Sequence, residues 1–160
     1  MIILGVDPGT AITGYGIVQS DGDALALIAC GAITTPANWA MPRRLQHIYA
    51  ELTALIAAHQ PTDAVIEKLF FSKNVRTALS VGQARGVAVL AAAQAGIALH
   101  EYTPLEIKQA VVGYGRAEKT QVQEMVRVLL QLAAVPQPDD AADALAIAIC
   151  HAHSARWANL

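Results

Sequence analysis

The 160-residue chain is short of cysteine, of aromatic residues and of basic charge, and each shortage narrows what it can be. Its two cysteines, Cys30 and Cys150, lie far apart, with no histidine or further cysteine at metal-ligand spacing. A chain this long needs no disulfide staple, and the two cysteines read as reduced thiols in a cytosolic protein. No basic leader followed by an apolar stretch opens the sequence, so no secretory signal is expected. The greasiest segment, Val87 to Leu99, is broken by Gln94 and Gly96 and is too short to span a bilayer. The expectation is a soluble, cytoplasmic protein with no membrane contact.

The formal net charge is −2, whereas phosphate binders usually carry a basic excess. Two divalent cations held by four carboxylates would turn that total to +2. The basic residues are also grouped, with Lys68, Lys73, Arg76 and Arg85 in one stretch and Lys108, Arg116 and Lys119 in another. A local patch counts for more than the total, so charge does not decide the matter.

Hydrophobic residues make up 54 % of the chain, much of it alanine, and the length suits one domain over residues 1–160 with a core of its own. Ile2 to Val6 is a short apolar strand ending in the turn signal Asp7-Pro8-Gly9. Gly14 to Gln19 and Leu25 to Ile33 are further strands around a hairpin tip at Asp21-Gly22-Asp23, which makes three antiparallel strands. From Pro42 to about His59, Leu45, Ile48, Leu52, Leu55 and Ile56 follow the helical period. Ala64 to Leu69 reads as a buried strand interrupted by charge. Val75 to Ala95, Leu105 to Val112, Glu118 to Leu132 and Asp140 to His153 read as helices, the last after a linker marked by Pro136 and Pro138. This order predicts an α/β fold: a mixed sheet, three antiparallel strands and then parallel ones, flanked by helices.

Carboxylates occur in three places where a packed element would not ordinarily want them. Asp7 ends the first strand, Glu67 interrupts a second, and Asp140 and Asp143 share one face at the start of the last helix. Each has an ordinary reading: Asp7 as a turn former, Glu67 as an outward strand residue or a partner of Lys68 or Lys73, Asp140 as a cap and Asp143 as a first-turn acid. Together they describe side chains that can converge above a sheet edge, where like charges would raise one another's pKa unless cations sat among them. Oxygen ligands without cysteine or a well-placed histidine favour Mg²⁺ or Mn²⁺ over Zn²⁺. Two such ions would suit phosphodiester hydrolysis, one activating water and the other steadying the leaving oxygen.

The segment Asp7-Pro8-Gly9-Thr10-Ala11-Ile12-Thr13-Gly14-Tyr15-Gly16 resembles the amino-terminal signature of the RuvC resolvases. Ile66-Glu67-Lys68-Leu69-Phe70-Phe71-Ser72-Lys73-Asn74 and Gly82-Gln83-Ala84-Arg85-Gly86 resemble later family segments. Lys108 to Gly113 and Ala117 to Val122 look like its basic segment, and Asp140 to Ile149 like its last helix. The matches run in order from Ile3 to about His153. The resemblance implies a ribonuclease H-like fold and a homodimer to which the Val75–Ala95 helix contributes. It further implies symmetric nicking of two opposed strands of a four-way (Holliday) DNA junction in recombination and repair, leaving 5′-phosphates. It implies Asp7, Glu67, Asp140 and Asp143 as catalytic ligands of two Mg²⁺ per subunit, with Mn²⁺ as a substitute. Lys108 and Lys119 would contact the DNA backbone, with Lys73 and Arg76 also on the DNA side, and Phe70 would stack on bases at the crossover. The RuvA and RuvB branch-migration proteins are the implied partners. For Phe70 core packing stays open, as does an ordinary solvated surface for the lysines. Asp139, four residues before Asp143, is expected to cap the helix.

Three rivals remain. A phosphotransferase of the sugar-kinase and actin type would need two lobes, and 160 residues supply one. A small RNA-processing nuclease of the same fold would be told apart by its substrate, and a junction-binding protein without chemistry by binding that never leads to cleavage.

Overall fold

The computed structural model describes residues 1–68 and 74–158. Three antiparallel strands open the chain: β1 (Ile2–Asp7), β2 (Ile12–Asp21) and β3 (Ala24–Thr34). Then follow α1 (Met41–His59), β4 (Asp63–Glu67), α2 (Val75–Gln94), β5 (Ala98–Tyr102), α3 (Pro104–Val112), α4 (Lys119–Leu129) and α5 (Asp139–Ala158). The strands form one sheet in the order β3-β2-β1-β4-β5, with β1, β4 and β5 parallel, so the expected mixed sheet is present.

Alternation along the strands assigns the two faces. Leu4, Val6 and Ile66 point to one side and pack with Ile48, Leu52 and Ala88 of α1 and α2. Ile3 and Val65 point to the other and pack with Leu145 and Ile149 of α5 and with Ile107 and Val126 of α3 and α4. Asp7 continues the Ile3 face, and Asp63 and Glu67 continue the Val65 face, so these acids lie on the α5 side of the sheet.

Helix α5 lies almost on the backbone of β1 and β2. A Cβ at Gly5 would sit 2.1 Å from the Ala144 carbonyl oxygen, and one at Gly14 would sit 2.0 Å from that of Asp140. Glycine at these two positions therefore sets how deeply the start of α5 reaches into the sheet. The run of buried alanines Ala141, Ala142, Ala144, Ala146 and Ala148 serves the same close approach.

The helix starts carry local signals. Asn74 caps α2 by accepting from the Arg76 and Thr77 amides at 3.1 and 3.3 Å. Thr103 and Glu106 form a reciprocal capping box on α3, with Pro104 in its first turn.

Several expectations shift. The edge strand β5 was not predicted: Ala-Leu-His-Glu-Tyr has no clean apolar alternation, and its place comes from pairing with β4. Strand β4 ends at Glu67, and Leu69 to Lys73 lie outside the described residues. Helix α4 stops at Leu129, where the Leu130 amide closes the last turn on Val126 and Val128. Helix α5 runs five residues past His153 and begins at Asp139, which is thus its first residue and not a flanking cap. Among the described residues, no helix is long and apolar enough to cross a membrane.

Candidate active site

The parallel register pairs Val6 with Ile66, so the next residues, Asp7 and Glu67, end neighbouring strands side by side. The first turn of α5 crosses above them and brings Asp143 into the same cleft. Asp7, Glu67 and Asp143 line it with Lys108 of α3 and Lys119 of α4, over a floor of Ile107, Val122, Ala146 and Ile147. Its volume is about 270 Å³. Asp140 does not line this cleft, yet its charge is felt by Asp7 and Asp143. Three elements from distant parts of the chain thus bring the four predicted acids into one electrostatic neighbourhood.

The electrostatics are those of crowded like charges in a half-buried place. Burial, then Asp143, Asp140 and Glu67, push the Asp7 carboxyl up to about 7, against a smaller pull from Lys119. Burial and Asp143 also raise Glu67, with Lys108 opposing. Asp143 is raised by burial although Lys119 opposes it. The Lys119 ammonium stands 3.3 Å from Asp143 and 3.5 Å from Asp139. Burial works against the Lys119 charge, but the two carboxylates outweigh it and hold its pKa up.

Asp139, half-exposed, is thus a partner of Lys119. A second depression continues the cleft past Asp7 and Glu67 to Lys68 and Arg85, where Arg85 is ion-paired with Glu101. Lys68, the residue after the strand end, lines this depression, and its backbone amide donates to the Tyr102 carbonyl at 2.8 Å. Arg76 is exposed on the first turn of α2 and lines neither part of the cleft. Phe70 and Lys73 lie outside the described residues.

An all-oxygen donor set in which Asp7, Glu67 and Asp143 resist ionisation together fits a hard divalent cation, since a cation relieves the repulsion that raises Asp7. The spacing of the acids is open. Among the described residues one trio of His, Asp, Glu or Cys brings its ligand atoms within 4.8 Å of one another, and it lies elsewhere: Asp63, His100 and His151. Sequence reasoning missed this trio, because His100 and His151 are fifty-one positions apart and one sits on the unpredicted strand β5. The expectation of no well-placed histidine is therefore corrected by His100 and His151.

The family described as crossover junction endodeoxyribonuclease RuvC matches residues 3–151. A crossover junction endodeoxyribonuclease RuvC of Heliobacterium modesticaldum is 60 % identical over 157 residues, covering 98 % of this chain and 97 % of that one. A Thermus thermophilus RuvC structure superimposes with a TM-score of 0.92 at 34 % identity, covering 99 % of this chain and 97 % of its own. Thermus thermophilus RuvC in complex with a Holliday junction substrate gives a TM-score of 0.91 at 32 % identity, covering 98 % and 96 %.

Proposed function

The chain belongs to the RuvC family of crossover junction endodeoxyribonucleases, and from that premise we propose that its acidic cleft hydrolyses phosphodiesters in opposed strands of a four-way DNA junction. The observation that carries this reading is the convergence of Asp7, Glu67 and Asp143 in one cleft that Lys108 and Lys119 also line, with the charge of Asp140 acting on Asp7 and Asp143. Asp7, Glu67, Asp140 and Asp143 would hold Mg²⁺, or Mn²⁺ in its place, with two ions per subunit. When bound, such ions supply positive charge to the scissile phosphate and lower the pKa of water.

The chain's own residues do the rest. Lys108 and Lys119 place cations at the cleft mouth, where they hold the phosphate backbone in register. Asp7, near neutrality in its own titration, moves between neutral and charged forms close to working pH, so cation binding and proton release are linked there. The apolar floor limits the water around the reacting phosphate. Phe70, Lys73 and Arg76 are assigned to the junction side of the molecule by resemblance, with Phe70 stacking on opened bases.

Symmetric nicking needs two sites, and the exposed face of α2 supports a homodimer. Val75, Leu79 and Leu90 expose 70 %, 66 % and 49 % of their surface along one side of that helix, beside exposed Gly86. An apolar stripe of this kind suits the self-complementary patch of a twofold interface. RuvA and RuvB are the partners that go with this reading, and the free thiols Cys30 and Cys150 fit a reducing cytoplasm.

The test is incubation with a labelled mobile four-way junction, in Mg²⁺ or in EDTA, beside an Asp143→Asn variant and a linear duplex. Paired nicks in the junction alone, lost in EDTA and in the variant, are expected. Junction binding without cleavage in either Mg²⁺ or Mn²⁺ would leave a binding protein. Indifference to the junction with cleavage of structured RNA would move the protein to the RNA-processing reading.

A further inference from the structure

A second group of metal-ligating side chains lies well away from the acidic cleft, on the same face of the sheet. Asp63 opens β4 at the end opposite Glu67, about 13 Å away along the strand. His151 lies eight residues beyond Asp143, about 12 Å further along α5. His100 projects from β5 on the register line of Val65. His100 Nε2 lies 3.0 Å from Asp63 Oδ1, and His151 Nε2 lies 3.5 Å from the same oxygen. The two imidazoles stack with centroids 4.1 Å apart. These three ligand atoms lie within 4.8 Å of one another.

Donors about 2.0–2.1 Å from one tetrahedral cation stand about 3.3–3.4 Å apart, and the two separations to Asp63 bracket that value. The surroundings are also those of a ligand set. The Tyr102 hydroxyl lies 2.9 Å from His151 Nδ1, and a proton donated from Nδ1 to that oxygen leaves the Nε2 lone pair facing Asp63. Thr62 donates to Asp63 Oδ2 at 2.6 Å, and Oδ1 is the oxygen that faces the two imidazoles. His151 is almost fully buried, with 5 % of its side chain exposed, whereas 37 % of His100 faces solvent, so an ion has a way in. The depression over the group is lined by Met1, Tyr102, Ser154 and Ala155 as well.

We propose that Asp63, His100 and His151 form a transition-metal site, selective by its two imidazoles for Zn²⁺ and its neighbours and separate from the Mg²⁺-type acidic cleft. Protein supplies three ligands and leaves a fourth position for water, and the bound ion ties β4, β5 and α5 together. Since β4 carries Glu67 and α5 carries Asp140 and Asp143, the ion would brace two of the elements that position the nuclease acids.

The test uses full-length, metal-stripped protein in excess Mg²⁺, titrated with Co²⁺ and then Zn²⁺. Uptake of one Co²⁺ per chain, with the visible absorption of a low-coordinate nitrogen and oxygen site bleached by Zn²⁺, is expected. Zn²⁺ should also raise the thermal midpoint. His100→Ala, a half-exposed change that leaves the core intact, should abolish both signals, and Tyr102→Phe should weaken Co²⁺ about tenfold. Asp143→Asn should leave both signals unchanged. A wild-type protein that takes up no Co²⁺ overturns the proposal and leaves the trio as a hydrogen-bonded cluster. A Co²⁺ signal that survives His100→Ala, or vanishes in Asp143→Asn, overturns it equally by placing the ion in the acidic cleft.

Discussion

Strand β4 carries one carboxylate at each end, and the two ends behave oppositely. Glu67 stands among acids, and burial with Asp143 drives its pKa up. Asp63 stands beside two imidazoles; burial opposes its charge, but the bonds from Thr62 and His100 and the His151 ring outweigh that and pull its pKa down. Four residues on one strand face therefore separate a charge cluster that cannot satisfy itself from one that can. The first needs an outside cation to be stable in its ionised form, and polyanionic DNA can approach once such cations are bound. The second is matched by its own hydrogen bonds, and its nitrogen donors prefer a different class of ion. Donor chemistry, more than depth of burial, distinguishes the two ends.

The largest way to break this contrast is to neutralise one acid where the charges crowd. Asp143→Asn should cut junction cleavage in Mg²⁺ at least about a thousandfold, or about 4 kcal/mol in barrier, while junction binding persists. The measurement is a single-turnover rate beside a binding titration. Loss of binding and cleavage together would make Asp143 a folding residue and not a chemical one.

Next comes the distance between sheet and helix on which the acidic end depends. Gly14→Ala would place a methyl 2.0 Å from the Asp140 carbonyl oxygen, a contact with backbone that no rotamer relieves. A loss of about 3 kcal/mol in denaturant unfolding is expected, with cleavage impaired beyond it because the start of α5 must move. Gly22→Ala, at a hairpin tip with nothing within 4 Å but a φ of +58°, should cost only about 1 kcal/mol and leave cleavage alone.

Much of this was legible in the sequence, and the gaps have physical causes. The acids were readable because a charge at the end of an apolar strand contradicts its surroundings; Asp7 and Glu67 announce themselves in that way, and the spacing of Asp140 and Asp143 gives a shared helix face. Strand β5 was not readable, since His100 and Glu101 interrupt it and its place in the sheet is set by pairing with β4. The histidine trio was hidden for the same reason: a cluster drawn from two strands and a helix leaves no spacing to find. Nor did the sequence reveal that Lys119 pairs with both Asp139 and Asp143, because that contact depends on how α4 leans on α5.

A smaller effect is expected from Asp7, and its sign is diagnostic. The folded carboxyl titrates near 7 against 3.8 unfolded, so folding favours its protonated form. No penalty exists below the unfolded pKa; it grows as pH rises and is complete above about 7. Asp7→Asn should therefore raise the thermal midpoint of metal-free protein above pH 7, by an effect of about 1–2 kcal/mol after solvent relaxation, and change it little in acid. Added Mg²⁺ should stabilise the parent protein and not the variant. A midpoint that falls on substitution at neutral pH would mean that Asp7 is held by bonds that offset the crowding.

The smallest effect separates the role of Lys119 from those of the acids. Lys119 is 56 % exposed where it meets Asp143, so the pair itself is worth no more than about 1 kcal/mol, and Lys119→Ala should barely alter unfolding. Its consequence lies in titration and in salt. Without that ammonium the Asp143 carboxyl rises further, so the acid limb of the cleavage profile should move to higher pH. If Lys119 also meets a phosphate, junction affinity should fall a few-fold and the slope of binding against salt should shrink by about one ion. A moved pH limb with an unchanged salt slope would confine Lys119 to the acids. A changed slope with an unmoved limb would assign it to the DNA alone, and the neutralising role would then pass to bound cations.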